Sequence, residues 1–143
     1  MKKLAIGIIA AALLSTLLVG CSGGTPKPPV KTLVNLDKLV TVNMTVDQVY
    51  ALMTPALKAT SVLYQADSIQ QTAKGNWSVS TKQSGYAAGE TGPYQALLFT
   101  PARAGNEYYI VFFKANVVMA KSWFSPQGGV VIEAILKGKS LVK

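Results

Sequence analysis

The chain contains 143 residues, with 14 Lys and Arg against 6 Asp and Glu, one cysteine and no histidine. This length predicts one domain, and a single cysteine excludes an intramolecular disulfide. Because the sequence has no histidine, histidine-based catalytic triads and most metal sites are excluded. We therefore expect a protein without a metal or another cofactor.

The N-terminus has the pattern of a secretory signal. Lys2 and Lys3 precede an almost unbroken apolar run from Leu4 to Val19. This run of 16 residues is shorter than the roughly 20 that a helix needs to cross a bilayer. The order of basic, apolar and small residues is typical of a signal peptide.

The segment Leu18–Cys21 (Leu-Val-Gly-Cys) resembles the lipobox of bacterial lipoproteins. The resemblance implies cleavage between Gly20 and Cys21 and attachment of lipid to the Cys21 thiol. An ordinary signal peptide that contains a cysteine, or an uncleaved anchor, is the alternative. Ser22 resembles the outer-membrane sorting pattern, so we expect a lipid anchor in the cell membrane or the outer membrane, facing the periplasm or the exterior.

The sequence divides into three segments. Residues 1–20 are predicted to be the signal peptide, and residues 21–31 a lipidated cysteine followed by a tether rich in Gly and Pro. Residues 32–143 are predicted to form a single domain. Cleavage would leave 12 basic and 6 acidic residues, a formal charge of +6. The lysines are scattered, and an exported protein seldom meets nucleic acid, so we expect no nucleic-acid partner.

The first half of the predicted domain has helical signals. Thr45 and Gln48 have the spacing of a capping box, and apolar residues follow at helical positions. The helix either ends at Thr54, or Thr54 caps a second helix that has Pro55 at its first position. The apolar spacing between residues 33 and 40 predicts a short helix before this one.

The second half has the period of strands. Strands are predicted at residues 77–82, 95–100, 107–113 and 117–124, with loops at 84–93 and 101–106. A turn of two or three residues within 114–116, with Asn116 tolerating positive φ, is predicted between the last two strands. Residues 130–136 fit either a closing helix or a last strand. Helices followed by consecutive strands predict an α+β domain, with one or two short N-terminal helices packed on a three- to four-stranded antiparallel meander.

Several of these segments resemble the SmpA/OmlA (BamE-type) family of small lipoproteins. The similar segments are residues 42–49 (Val-Asn-Met-Thr-Val-Asp-Gln-Val), residues 52–55 (Leu-Met-Thr-Pro), the Trp77 strand and the strand pair before Trp123. The resemblance implies two short helices packed on a three-stranded antiparallel sheet. Asn43 and Met53 stand where the family pattern has glycines.

No catalytic constellation is recognised, and we expect a protein that is not an enzyme. The longest loop between strands, residues 84–93, contains Tyr86 and is followed by Tyr94, and we consider both tyrosines as partner-binding anchors. A solvated insertion is the alternative. The sequence thus favours a membrane-anchored bacterial envelope lipoprotein that binds an envelope protein or serves envelope assembly and stability. A lipoprotein that binds a glycan or an anionic envelope polymer through sheet aromatics and lysines is the alternative function.

Overall fold

The computed structural model describes residues 27–82, 84–100 and 107–137. The predicted signal peptide, the lipobox residues Gly20 and Cys21 and the predicted loop at 101–106 lie outside these residues. No helix in the described part of the chain combines the length and apolar character needed to cross a membrane.

Ten elements follow one another in the described residues. Three short helices come first: α1 (Leu33–Leu39), α2 (Val46–Ala51) and α3 (Pro55–Lys58). Six strands and a last helix follow: β1 (Ser61–Ala66), β2 (Ser68–Gln71), β3 (Trp77–Ser80), β4 (Tyr94–Phe99), β5 (Tyr108–Lys114), β6 (Val117–Phe124) and α4 (Pro126–Leu136). The predicted α+β class is confirmed.

The helix starts agree with the local signals in the sequence. The side chain of Thr45 accepts a hydrogen bond from the Gln48 amide, and the Gln48 side chain accepts one from the Thr45 amide, so the capping box is present. Of the two alternatives at Thr54, the second is observed, because Thr54 caps α3 and Pro55 occupies its first turn. The undecided segment 130–136 is helical and belongs to α4.

The main sheet has the strand order β1-β4-β5-β6, and all three pairs are antiparallel. Strands β4, β5 and β6 form the predicted meander, and a two-residue turn at Ala115 and Asn116 joins the last two. Both turn residues have positive φ, 48° and 66°, as the twist of a two-residue hairpin requires. The predicted Trp77 strand is β3, which pairs with β2 in a separate two-stranded sheet.

Both faces of the main sheet are covered. One face packs under α1, α2 and α3, through buried residues that include Leu36, Val49 and Phe113. The other face packs against α4 and the β2–β3 hairpin, with Phe112 and Ile132 in its core. The central strands β4 and β5 are therefore buried on both sides, which explains why nearly all of their residues are apolar.

Packing begins slightly before the predicted domain start at Thr32. The Val30 amide donates to the Leu52 carbonyl at 2.7 Å, and the Val30 carbonyl accepts from the Thr54 amide at 3.1 Å. Val30, in the predicted tether, is thus bound to the end of α2 and the start of α3.

Candidate functional site

A cleft of about 500 Å³ lies beside strand β1. One wall is formed by Leu63, Tyr64 and Gln65 of β1, and the opposite wall by residues 85–91 of the loop between β3 and β4. The end of α4, at Leu136 and Lys137, borders the same space. The loop that the sequence indicated as a candidate for binding is therefore one side of a concave site.

Tyr86 fastens this loop to the body of the domain. Its hydroxyl donates a hydrogen bond to the Asp67 carboxylate, which lies directly after β1. The Lys82 ammonium lies over the Tyr86 ring, 4.6 Å from its centroid, and also pairs with the Glu90 carboxylate. Glu90 in turn accepts the Ala87 amide at 3.1 Å. These contacts hold the loop in one defined arrangement.

A pair of glutamines holds the other end of the loop. Gln65 on β1 and Gln95 on β4 are cross-strand neighbours. The Gln65 side-chain oxygen accepts the Gly92 amide at 2.9 Å, and the Gln95 side-chain nitrogen donates to the Gly92 carbonyl at 2.9 Å. Because Gln95 is only 3% exposed, this clamp lies inside the domain.

Position 92 requires glycine, because neighbouring atoms leave no room there for a Cβ atom. A Cβ atom at this position would lie 2.7 Å from the Tyr86 hydroxyl and 2.8 Å from the Ala66 carbonyl oxygen. The second neighbour is backbone and cannot move as a flexible side chain does. Only glycine allows the loop to approach β1 this closely.

Two ion pairs, Lys82–Glu90 and Lys137–Glu133, lie beside the cleft, and the Asp67 carboxylate accepts the Tyr86 hydroxyl. The Lys82 hydrogen bond and the Ala87 amide hold the pKa of Glu90 below its usual value. The hydrogen bond to Glu133 raises the pKa of Lys137 above its usual value. Burial, followed by the hydrogen bond to Asp67, raises the pKa of Tyr86 to about 12. At neutral pH the cleft therefore presents a protonated tyrosine and two balanced ion pairs.

The two predicted anchor tyrosines have different positions. Tyr86 lies in the loop and lines the cleft, with its hydroxyl engaged by Asp67. Tyr94 is the first residue of β4 and packs half-buried against the core on the α4 side of the sheet, with the Lys114 ammonium 5.8 Å from its ring centroid. The structure does not place Tyr94 in the lining of the cleft.

The patterns in the sequence did not identify the residues that position the cleft. The sequence did not predict strand β1, and neither Gln65 nor Asp67 was predicted as a site residue. One signal was present: Gln95 is a polar residue within an otherwise apolar strand, a pattern that indicates a specific hydrogen-bonding partner.

A second groove, of about 520 Å³, lies on the other side of the sheet. It is mostly apolar and is bordered by Leu33, Leu57 and Trp123. Thr100 and Glu107, which also border it, flank the undescribed residues 101–106. We therefore base no site on this groove.

In the part of the chain that the structure describes, no cluster of three or more Cys, Asp and Glu side chains could hold a metal ion. Comparison of the whole chain with protein-family models, with curated proteins and with solved structures found no match. The fold and the cleft define the class of protein here only as a small α+β domain with a concave surface beside a sheet edge.

Proposed function

We propose that this chain is a lipid-anchored, non-catalytic lipoprotein of the bacterial cell envelope, and that its domain binds another envelope protein. The proposed anchor is lipid on Cys21, after cleavage between Gly20 and Cys21. The sequence supports it through the apolar run that ends directly before the single cysteine. The resemblance to the SmpA/OmlA family stays a prediction from the sequence.

The observation that carries the binding proposal is the preformed cleft. Tyr86, Gln65 and Gln95 hold the loop against β1 from within the domain, so the concave surface exists without a partner. A preformed site avoids the entropy cost of ordering a loop on binding. Core packing alone does not require a loop of this length.

The alternative function, binding of a glycan or an anionic polymer, receives less support from the geometry. Four aromatic residues of the central strands are fully buried and present no ring to a sugar: Phe99, Tyr109, Phe112 and Phe113. The two lysines beside the cleft, Lys82 and Lys137, are already paired with Glu90 and Glu133. A polyanion would have to break these pairs.

The test is a pull-down of the native lipidated protein from solubilised membranes, with quantitative mass spectrometry. A variant with a long charged side chain in the cleft, Ala87→Lys, keeps the backbone hydrogen bond to Glu90 and blocks the space. Val42→Lys adds the same charge at a residue that is 61% exposed, outside the residues that line the cleft. We expect one protein to be recovered in stoichiometric amount with the wild type and with Val42→Lys, and to be lost with Ala87→Lys.

The Tyr86→Ala variant tests the anchor tyrosine in the same assay. We expect weaker partner retention, and thermal unfolding shows whether the domain itself stays folded. Retention of the wild type on cell-wall material without a protein partner would support the alternative function. Equal recovery with Ala87→Lys and Val42→Lys would exclude the cleft as the binding site.

A further inference from the structure

The two edge strands of the main sheet, β6 and β1, differ in how far other parts of the chain cover their outer backbone groups. At the β6 edge, the backbone before α2 forms hydrogen bonds with the first part of the strand. The Val118 amide donates to the Met44 carbonyl at 2.8 Å, and the Val118 carbonyl accepts from the Asn43 amide at 3.1 Å. Further along β6, Lys121 reaches the Val40 carbonyl at 3.0 Å. The first part of this edge is therefore covered by other parts of the chain.

The β1 edge faces the cleft. The Thr100 amide donates to the Thr60 carbonyl at 2.9 Å, so the Thr60 carbonyl points towards β4 at the start of the β1–β4 ladder. Antiparallel pairing alternates, so the backbone groups of Val62 and Tyr64 point towards β4. Those of Ser61, Leu63 and Gln65 then point away from β4, and Leu63 and Gln65 line the cleft. No hydrogen bond from another described residue reaches these outward groups.

The sequence of β1 lacks the features by which proteins protect such an edge. Exposed edge strands are normally blocked by a charged residue, a proline or a bulge. Residues 61–66 (Ser-Val-Leu-Tyr-Gln-Ala) contain no charged residue and no proline, and their register with β4 is regular. Val62, on this strand, is 47% exposed. Such a strand is suited to pairing with a further strand.

We propose that the cleft accepts an extended, uncharged segment of a partner protein, which pairs with β1 as a fifth strand of the main sheet. The proposal rests on the proposed function, because it names how the partner is bound. The outward amides and carbonyls of Leu63 and Gln65 form the backbone hydrogen bonds, as in other cases of strand addition. Lys82 and Lys137 are already paired with Glu90 and Glu133, so an uncharged segment fits the cleft without breaking these ion pairs.

A second copy of this chain fits the cleft less well. In a two-fold antiparallel pair centred on Leu63, Ser61 of the second copy would lie opposite Gln65. Helix α3 ends at Lys58, just before β1. In such a pair, α3 of the second copy would lie against the wall formed by residues 85–91 of the first copy. A helix is about 10 Å wide, whereas neighbouring strands lie about 4.8 Å apart. An extended segment with free ends avoids this collision.

The side-chain pattern of the segment follows from the two faces of β1. Tyr64 packs against the core on the α4 side, and exposed Val62 lies on the same face of the strand. Residues of the segment on this face are expected to be apolar. The opposite face lies beside Leu63 and Gln65, so alternation of apolar and uncharged polar residues is expected.

The test uses the full-length protein and a capped seven-residue peptide that alternates Thr and Val. The matched probe is the same peptide with its backbone nitrogens methylated at alternate positions on one edge, which removes the donors without changing the side chains. We expect the first peptide to shift the NMR signals of residues 61–65 and 85–91, and to slow amide exchange at Leu63 and Gln65. The methylated peptide is expected to bind at least tenfold more weakly.

Variants of the protein isolate the backbone contribution. Leu63→Pro removes the outward amide but leaves the β4-facing amides of Val62 and Tyr64, and edge strands tolerate proline at such a position. Leu63→Ala is the control, because it loses the side chain and keeps the amide. We expect at least a tenfold loss of affinity in Leu63→Pro relative to Leu63→Ala.

Three results would overturn strand addition: equal affinity of the two variants, equal binding of the two peptides, or no shift at β1 up to the solubility limit of the peptide. Formation of a dimer that Leu63→Pro disrupts would assign the edge to a second copy instead. A partner that is captured from membranes, blocked by Ala87→Lys and still bound by Leu63→Pro would leave the proposed function intact and exclude only the strand pairing.

Discussion

Tyr86 connects the chemistry of one side chain to the shape of the candidate site. Its ring lies against Gly92, and its hydroxyl donates a hydrogen bond to the Asp67 carboxylate. The Lys82 ammonium lies over the face of the ring. The hydroxyl must be protonated to donate to a carboxylate. The loop arrangement therefore depends on a neutral tyrosine, which predicts a response to alkaline pH.

The first prediction concerns this tyrosine. The pKa of Tyr86 is raised from 10 to about 12, so its contribution to stability is complete below pH 10 and is lost as the pH rises through about 12. Asp67→Asn removes the charge that helps to raise the pKa, and we expect the Tyr86 pKa to fall. Titration of tyrosinate absorbance, with Tyr86→Phe to assign the signal, measures the change. An unchanged titration in Asp67→Asn would contradict the role of Asp67.

Asp37 performs a similar role on the other side of the sheet. Its carboxylate accepts the Tyr109 hydroxyl at 2.9 Å and lies 3.1 Å from the Lys121 ammonium. Lys121 also donates to the Asp37 and Val40 carbonyls at the end of α1. These contacts fasten α1 to β5 and β6.

The second prediction follows from the charge of Asp37. Burial alone would raise the pKa of Asp37, but the hydrogen bonds from Lys121 and Tyr109 outweigh it and lower the pKa below 3.8. A lowered pKa gives stability that is present above pH 3.8 and is lost as the pH falls through the folded-state value. We expect Asp37→Asn to destabilise the domain at pH 7 and to reduce the loss of stability on acidification. Urea unfolding at several pH values checks this, with Lys38→Gln as an exposed neighbouring control that keeps the wild-type acid response.

At the scale of elements, short helices depend strongly on their caps. Helix α2 contains six residues and leaves several amides without a partner inside the helix. The capping box between Thr45 and Gln48 satisfies two of them. The same segment also supplies the backbone that covers the β6 edge, so the start of α2 supports both a helix and the sheet.

The third prediction tests this cap. Thr45→Ala removes the side-chain acceptor and is expected to lower the free energy of unfolding by about 1 kcal/mol. Thr45→Ser keeps the hydroxyl and is expected to lose much less. Chemical denaturation of both variants measures the difference, and equal stability of Thr45→Ala and wild type would contradict the cap.

At the scale of the whole molecule, the proposed lipid anchor determines where the cleft is presented. Two acyl chains or more on one residue bind a membrane nearly permanently, whereas one chain binds reversibly. A domain anchored in this way meets its partner at the membrane surface. Weak binding in the cleft would then be strengthened by the high local concentration of a partner in the same membrane.

The fourth prediction tests the anchor. Cys21→Ala removes the thiol that would receive the lipid, and we expect loss of labelling by a fatty-acid analogue and failure of cleavage at Gly20. Ser22→Ala keeps the thiol and is the control that should still be labelled. Label that persists in Cys21→Ala would contradict the lipobox prediction.

The sequence by itself determined the features that depend on neighbours a few residues away. The cap at Thr45, the helix at residues 33–39 and the positive φ at Asn116 all follow from contacts within one turn. Strands β4 and β5 were also predictable, because burial on both faces leaves an apolar run that only Gln95 interrupts. These features require no knowledge of which segments meet in space.

Only the tertiary structure decided which edge of the sheet is open and what surrounds it. The Gly92–Gln65 bond spans 27 residues and the Tyr86–Asp67 bond spans 19, and contacts over such distances leave no periodic signal in the sequence. Strand β1 was missed because only part of its surface is buried, so its apolar pattern is weak. Its position beside β4, and the cleft that results, depend on long-range pairing of backbone groups that every residue carries.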